Sequence, residues 1–155
     1  MSKSSPMKVF IDILTPKQCM LFAGLSDRLR KNGYQVTIAT REYREVNQVL
    51  ELNGVAAKVV GKHGGANLQD KLKASAQRTL ELAFLIAELR PNVAVSFASP
   101  ETSRVAFGLG IPHVCVNDSP HSEAVARLTT PLVTLLLTPK FIPKAVWTRF
   151  GIEPN

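Results

Sequence analysis

Asn117-Asp118-Ser119-Pro120-His121-Ser122-Glu123 stands between a short apolar run, His113-Val114-Cys115-Val116, and a helical pattern over 124–128. An extended run that stops in Asn-Asp and restarts as a helix at Ser-Pro is one half of a strand–helix unit. Ser119 would be the N-cap, and Pro120 would take the first helical position, where its missing N–H costs nothing. The same grammar recurs at Thr15-Pro16 after 9–14, at Ser99-Pro100 after 93–97 and at Thr138-Pro139 after 134–137. Four strand-to-helix turns written alike predict four helix N-termini along one edge of one sheet.

The rest of the chain fits that frame. Residues 9–14 are apolar enough to be covered on both faces, as in a parallel sheet. Thr15-Pro16-Lys17-Gln18 matches a capping box, and the helix behind it runs to Asn32, with Phe22, Leu25 and Leu29 on one face and Gly33 as its stop. Strands are predicted over 35–40, 56–60, 93–97, 113–116 and 134–137. Helices are predicted over 43–53, 102–109, 122–128 and 143–150. Gly61-Lys62-His63-Gly64-Gly65-Ala66-Asn67 reads as the loosest loop. A long helix follows, with Leu72, Ala76, Leu80, Ala83 and Ala87 as its apolar face, and it ends before Pro91. Strands and helices alternating this regularly predict a doubly wound parallel α/β sheet of about six strands.

At 155 residues and 45% hydrophobic content the chain fits one domain with a real core. No apolar run approaches a membrane span, and Met1 to Met7 is polar, with Asp12 interrupting the run behind it. Cys19 and Cys115 lack C-x-x-C spacing and read as reduced, buried thiols of a cytoplasmic protein, with a disulfide as the alternative. The net charge of +7 is uneven: residues 1–80 carry 13 Lys/Arg against 6 Asp/Glu, and residues 81–155 carry 6 against 6. A basic half suits a phosphorylated substrate, an anionic membrane surface or simply a solvated face. Without an Arg-rich run or interleaved aromatics, a nucleic-acid groove is not supported.

Ligands of such sheets bind outside the carboxyl ends of the strands, at the topological switch point. That rule gathers Thr15–Gln18, 61–67, 99–102 and 117–123 along one rim. Helix N-termini aimed at one crevice favour phosphate or carboxylate, and Lys17, Lys62 and His63 add charge there. The competing account is that Thr15, Ser99, Ser119 and Thr138 only cap their helices, each contributing about 1 kcal/mol. His121, with Asp118 or Glu123 to orient it, is the candidate for proton transfer. Glu101 either joins the site or complements the helix dipole. His63 with Gly64 and Gly65 forms either a backbone nest for a pyrophosphate or a flexible turn. Ser99, Asn117 and Ser119 complete the rim as candidate binding residues. No P-loop, no G-x-G-x-x-G after the first strand, no G-x-S-x-G elbow and no zinc spacing is present, so no metal is expected.

With these residues collected, the sequence resembles an archaeal family known as domain of unknown function 354. The matching text is Ile11-Asp12 with Thr15-Pro16-Lys17, Gly61-Lys62-His63-Gly64-Gly65, Ser99-Pro100-Glu101 with Arg104-Val105-Ala106-Phe107-Gly108-Leu109-Gly110-Ile111-Pro112, and Asn117-Asp118-Ser119-Pro120-His121 with Glu123-Ala124. The resemblance departs at Gln18, where family members often carry His, so Gln18 keeps its capping reading. The family is similar to GT-B-fold glycosyltransferases and UDP-N-acetylglucosamine 2-epimerases, in which two Rossmann-like domains face each other across a cleft. The resemblance implies that residues 1–150 form the N-terminal, acceptor-side domain, with 151–155 the start of an interdomain linker or the chain end. The nucleotide-sugar donor is then expected on a C-terminal domain or a separate partner chain, and no cofactor in this chain.

Three functions follow from this reading. The first is the acceptor-side half of a glycosyltransferase acting on a phosphorylated or lipid-linked acceptor, cytoplasmic or peripheral to the membrane. Lys17, Lys62, His63 and Glu101 would hold the acceptor, and His121, oriented by Asp118, would be the base. The second is an epimerase-like enzyme in which Glu101 and Asp118 shuttle a ring proton. The third is a non-catalytic module that binds an anion or a partner.

Overall fold

The protein, seen in a computed structural model, is described over residues 5–152. Strands and helices alternate as β1 (Lys8–Ile13), α1 (Pro16–Lys31), β2 (Gln35–Glu42), α2 (Arg44–Leu52), β3 (Lys58–Lys62), α3 (Leu68–Leu89), β4 (Val93–Phe97), α4 (Pro100–Gly108), β5 (His113–Val116), α5 (Glu123–Thr129) and β6 (Leu135–Leu137). Short 3-10 helices occupy Thr130–Leu132 and Lys144–Phe150. All five strand pairings are parallel, in the order β3-β2-β1-β4-β5-β6. The chain winds outward in one direction from β1 to β3, then restarts at β4 and winds the other way. The switch point therefore lies between β1 and β4, the expected doubly wound architecture.

The side-chain alternation of β1 decides what each sheet face meets. Val9, Ile11 and Ile13 pack with Cys19, Phe22, Ile38, Val46 and Leu50 beneath α1 and α2. Phe10 points to the other face and joins Leu82, Ile86, Ala94, Val105 and Ala106 beneath α3 and α4. Asp12, two residues on, must share that second face, and it is wholly buried there. A third cluster of Ala126, Trp147 and Phe150 closes the β6 end. Cys19 and Cys115 are both buried free thiols, and burial pushes the Cys115 thiol up to about 11.

Two expectations from the sequence are corrected. The face of α3 turned to the sheet is Arg78, Leu82 and Ile86, whereas Leu72 and Leu80 are 71% and 53% exposed. Both stripes repeat at helical spacing, and the apolar one was the wrong guide because a buried acid on β1 selects the arginine. The Ser/Thr-Pro grammar marks two helix starts instead of four. Pro16 and Pro100 do begin helices, but α5 begins at Glu123 behind Ser122. Asn117 Oδ1 accepts the Ser119 N–H at 2.9 Å, an Asx turn that outcompetes an N-cap at Ser119. After Thr138-Pro139 comes a turn closed from Ile142 N–H to Pro139 O, because Pro143 disfavours helix at the residue before it. The proposed linker at 151–155 falls largely on residues 153–155, outside the described residues.

Candidate functional site

The carboxyl ends of the strands open into a cleft of about 570 Å³ across the switch point. Thr15 with Lys17 and Gln18 of the first turn of α1, Lys62 at the end of β3 with His63 and Gly64 behind it, Pro100 and Glu101 of α4, and Asn117 to Ser119 after β5 all line it. The sequence rule that gathered these segments at one rim is thus met. Among the described residues, no helix is long and apolar enough to cross a membrane.

Below the cleft lies a buried charge network that begins with Asp12. Arg78 is spaced four residues before Leu82 and eight before Ile86, which pack on Phe10's side of the sheet. One turn back along α3 meets β1 two residues further along, at Asp12. The guanidinium clamps that carboxylate, with Nη1 donating to Oδ2 at 3.0 Å and Nη2 to Oδ1 at 2.6 Å. Nε donates to Val60 O at 2.9 Å, and Thr102 Oγ1 donates to Asp12 Oδ2 at 2.7 Å. Burial alone would raise the Asp12 carboxyl, but Arg78, with Thr102 and Ser99, holds it below the usual range. Gly61, at φ +68°, lets the arginine pass, since a Cβ there would lie 2.8 Å from Arg78 Cγ.

Glu101 stands between this network and the cleft. Its Oε1 accepts the Ser75 hydroxyl at 2.6 Å, its Oε2 accepts that of Ser99 at 3.3 Å, and Arg78 Nη1 lies 3.8 Å from Oε2. Ser99 is a true cap, accepting the Thr102 N–H at 3.2 Å. It is fully buried and serves the wall from behind. Ahead of it Ala98, in the left-handed region at φ 49°, turns the chain from β4 into α4 at the cleft floor.

At the β2–β3 end the wall is cationic, with Arg41, Lys62 and Lys71 beside His63. His63 stacks on Tyr43 at 4.9 Å between centroids, and its Nδ1 accepts the Gly65 N–H at 3.1 Å. That bond fixes the neutral tautomer with a proton on Nε2. Burial, then the charges of Arg41 and Lys71, lower its pKa and keep it neutral. The loop read as loosest is therefore ordered: Asn67 caps α3 through Gln69 and Asp70 N–H, and Gly64 packs against Lys71.

At the β5 end Lys17 donates to Asp118, which also accepts the Ser119 hydroxyl. The Lys17 hydrogen bond leads the forces that lower the Asp118 pKa. Among the described residues no hydrogen bond joins Asp118 to His121, and His121 is exposed and outside the cleft lining. Glu123 likewise pairs with Arg127 on α5 instead of orienting His121. The shift of the helix start to Glu123 is the reason, because it leaves His121 in the outer turn. Thr15 lines the cleft at the N-cap without a side-chain cap bond. Gln18 reaches back one residue past it, taking the Leu14 N–H at 2.7 Å. Gly65 stays off the wall.

Sequence reasoning missed Asp12 as a site element, together with Arg41, Lys71, Ser75 and Arg78. A lone acid in an otherwise apolar buried strand was the signal, since it requires a buried cation. Asn67, three residues before Asp70, was a readable cap.

A family model described as a protein of unknown function, DUF354, matches residues 7–155. The chain belongs to the DUF354 family. This DUF354 chain is 35% identical over 145 residues to the uncharacterized protein MJ0665 of Methanocaldococcus jannaschii, covering 94% of itself and 42% of that protein. Its fold matches a putative UDP-N-acetylglucosamine 2-epimerase of Listeria monocytogenes at TM-score 0.80 and 18% identity, over 97% of this chain and 44% of the other. The epimerase of Neisseria meningitidis, solved with UDP-GlcNAc bound, matches at 0.76 and 19%, over 95% and 44%. MurG of Acinetobacter baumannii matches at 0.71 and 13%, over 90% and 43%. At these identities the likeness is one of fold: the DUF354 chain has the Rossmann-like α/β architecture of GT-B glycosyltransferases and UDP-GlcNAc 2-epimerases. It spans less than half the length of each of these relatives.

Proposed function

We propose that this chain is the acceptor-side, N-terminal half of a GT-B-type glycosyltransferase, and that its cleft holds a phosphorylated acceptor. One observation carries the reading: a cation-lined cleft opens at the switch point of a fold shared with sugar-nucleotide enzymes. Arg41, Lys62 and Lys71 attract the acceptor phosphate, and His63 offers it a neutral Nε2–H donor. Glu101 takes the proton of the attacking hydroxyl. It lies in the wall and is aimed by Ser75 and Ser99, whereas His121 stands outside the lining. Asp118, already engaged by Lys17, holds that part of the rim in place. The donor nucleotide-sugar is met by a facing domain, in a longer form of this chain or in a partner.

The test is turnover of a UDP-sugar and a phosphorylated sugar acceptor by the assembled two-domain enzyme. Glu101→Gln is expected to lower kcat by about 10²–10⁴-fold, the usual range for a positioned general base, while His121→Ala leaves it within about twofold. Full activity in Glu101→Gln would refute the assignment. The epimerase reading rests on the same carboxylate, acting at a ring carbon instead of a hydroxyl. Solvent deuterium incorporated into recovered UDP-sugar would establish it in place of transfer.

A further inference from the structure

Resting on the reading that the cleft holds a phosphorylated acceptor, we infer that this acceptor is two-ended, with a phosphate at the β2–β3 end and an uncharged, hydroxylated end at β5, about two hexoses away. The two ends of the cleft differ in kind. Among the described residues no carboxylate pairs with Lys62 or Lys71, which leaves their charge available together with that of Arg41. Arg41 Nε is itself buried without a hydrogen-bond partner. At the β5 end Asp118 neutralises Lys17, so that end attracts no second anion.

What the β5 end offers is a donor. Asn117 lines the cleft yet is only 1% exposed, with Oδ1 committed to the Ser119 N–H and Nδ2 without a partner among the described residues. A buried amide N–H left unpaired is costly and is satisfied by an oxygen acceptor in the cleft. The Ser122 hydroxyl makes no cap bond, and Ser122 lines the same cleft. Amide and hydroxyl groups hydrogen-bond sugar hydroxyls and ring oxygens, and with Lys17 neutralised they bring no net charge to compensate a phosphate.

The separation sets the length. β2 and β5 are three strand intervals apart, with β1 and β4 between them, or about 14 Å at the usual spacing of ~4.8 Å. One hexose phosphate is too short to reach from Arg41, near the end of β2, to Asn117, and a disaccharide phosphate spans the distance. Its middle then passes Glu101, beside the switch point, where a hydroxyl between the two ends can be deprotonated. The cleft volume of about 570 Å³ accommodates such a ligand.

The experiment is calorimetric titration of the 155-residue chain, without donor, using lactose 1-phosphate, galactose 1-phosphate, lactose and inorganic phosphate. Lactose 1-phosphate is expected to bind at least about tenfold more tightly than each of the other three. The Lys62→Ala, Lys71→Ala double variant weakens all phosphorylated probes and leaves lactose unchanged. Asn117→Asp keeps the acceptor for the Ser119 N–H but removes the free donor, and it brings lactose 1-phosphate down to the affinity of galactose 1-phosphate. Ser122→Ala, outside the packed core, gives a smaller loss in the same direction. Equal binding of lactose 1-phosphate and galactose 1-phosphate by the unaltered chain would overturn the inference, as would no binding of either. One-ended binding sinks this inference whatever the turnover assay shows, and two-ended binding without turnover sinks only the transferase reading.

Discussion

Replacing Arg78 with Met tests the buried network from below. The substitution retains most of the aliphatic packing on Val60 and Phe10's side of the sheet but removes the charge and three hydrogen bonds. Asp12, with no exposed surface, is left with Thr102 and Ser99. Losing one partner of a buried ion pair costs about 3–5 kcal/mol, and in a domain of this size each kcal/mol moves Tm by about 2–4 °C. Thermal unfolding at pH 7 should therefore show a loss on the order of 10 °C. The pH dependence carries a second signature. In the native protein the Asp12 pKa is depressed, so its contribution is present above the unfolded value of about 3.9 and is lost as pH falls through the lower folded value. In Arg78→Met burial is opposed only by the Thr102 and Ser99 hydrogen bonds and raises that pKa, so the penalty is largest at neutral pH and fades as pH falls toward about 4. Adding Asp12→Asn, which still accepts from Thr102, should restore at least about half of the loss, because the uncompensated charge is gone. A Tm change under about 2 °C, or a double variant no better than the sum of the singles, would refute the argument.

Two further outcomes are expected. Gly64→Ala would set a Cβ 2.5 Å from Lys71 Cα and 2.8 Å from Asp70 O, both backbone, so the loop must move. Calorimetry should show about 1–3 kcal/mol of lost stability, and titration should show weaker phosphate binding, because His63 and Lys71 shift with the loop. His113 is buried against Ser96, and burial takes its pKa down to about 4. Since that lies below the unfolded value, stability holds above about pH 6.5 and falls by roughly 3 kcal/mol as pH drops toward 4. Denaturant unfolding of His113→Gln across that window should show a correspondingly flatter profile, and an unchanged slope would remove His113 as the cause.

Much of the architecture was legible because strand patterns and stop signals are local. The runs at 93–97 and 113–116 coincide with β4 and β5, and Phe22, Leu25 and Leu29 of α1 do pack on the core. Helix starts were less readable, since Ser-Pro is compatible with both a cap and a turn. At Ser99 the side chain caps; at Ser119 the preceding Asn117 captures its N–H first. The phase of α3 was not legible at all from hydrophobicity. Its sheet-facing turn is a cation, and only the pairing of β1 with its acid reveals why Arg78 outranks Leu72 and Leu80. For the same reason the rim segments were found but the charges beneath them were not: Lys17, Lys62 and His63 sit beside turn signals, while Arg78 and Ser75 lie mid-helix with no local mark.

The persistence of a charge pair in the core calls for a reason beyond stability, since apolar replacements of both partners are often as stable. The geometry around Glu101 supplies one. Asp12 takes both terminal nitrogens of Arg78, in hydrogen bonds of 3.0 and 2.6 Å, which leaves Nη1 3.8 Å from Glu101 Oε2 instead of hydrogen-bonded to it. The cation is near enough to steady an anion in the wall and too committed elsewhere to close over it. Ser75 and Ser99 then fix the direction in which the carboxylate points. An apolar core would pack equally well and leave Glu101 with only two hydroxyls to place it. A buried arginine without Asp12 would turn on Glu101 and occupy its lone pairs. Only the full triad yields a carboxylate that is both positioned and still able to accept a proton, and it sits at the switch point that the proposed acceptor would pass.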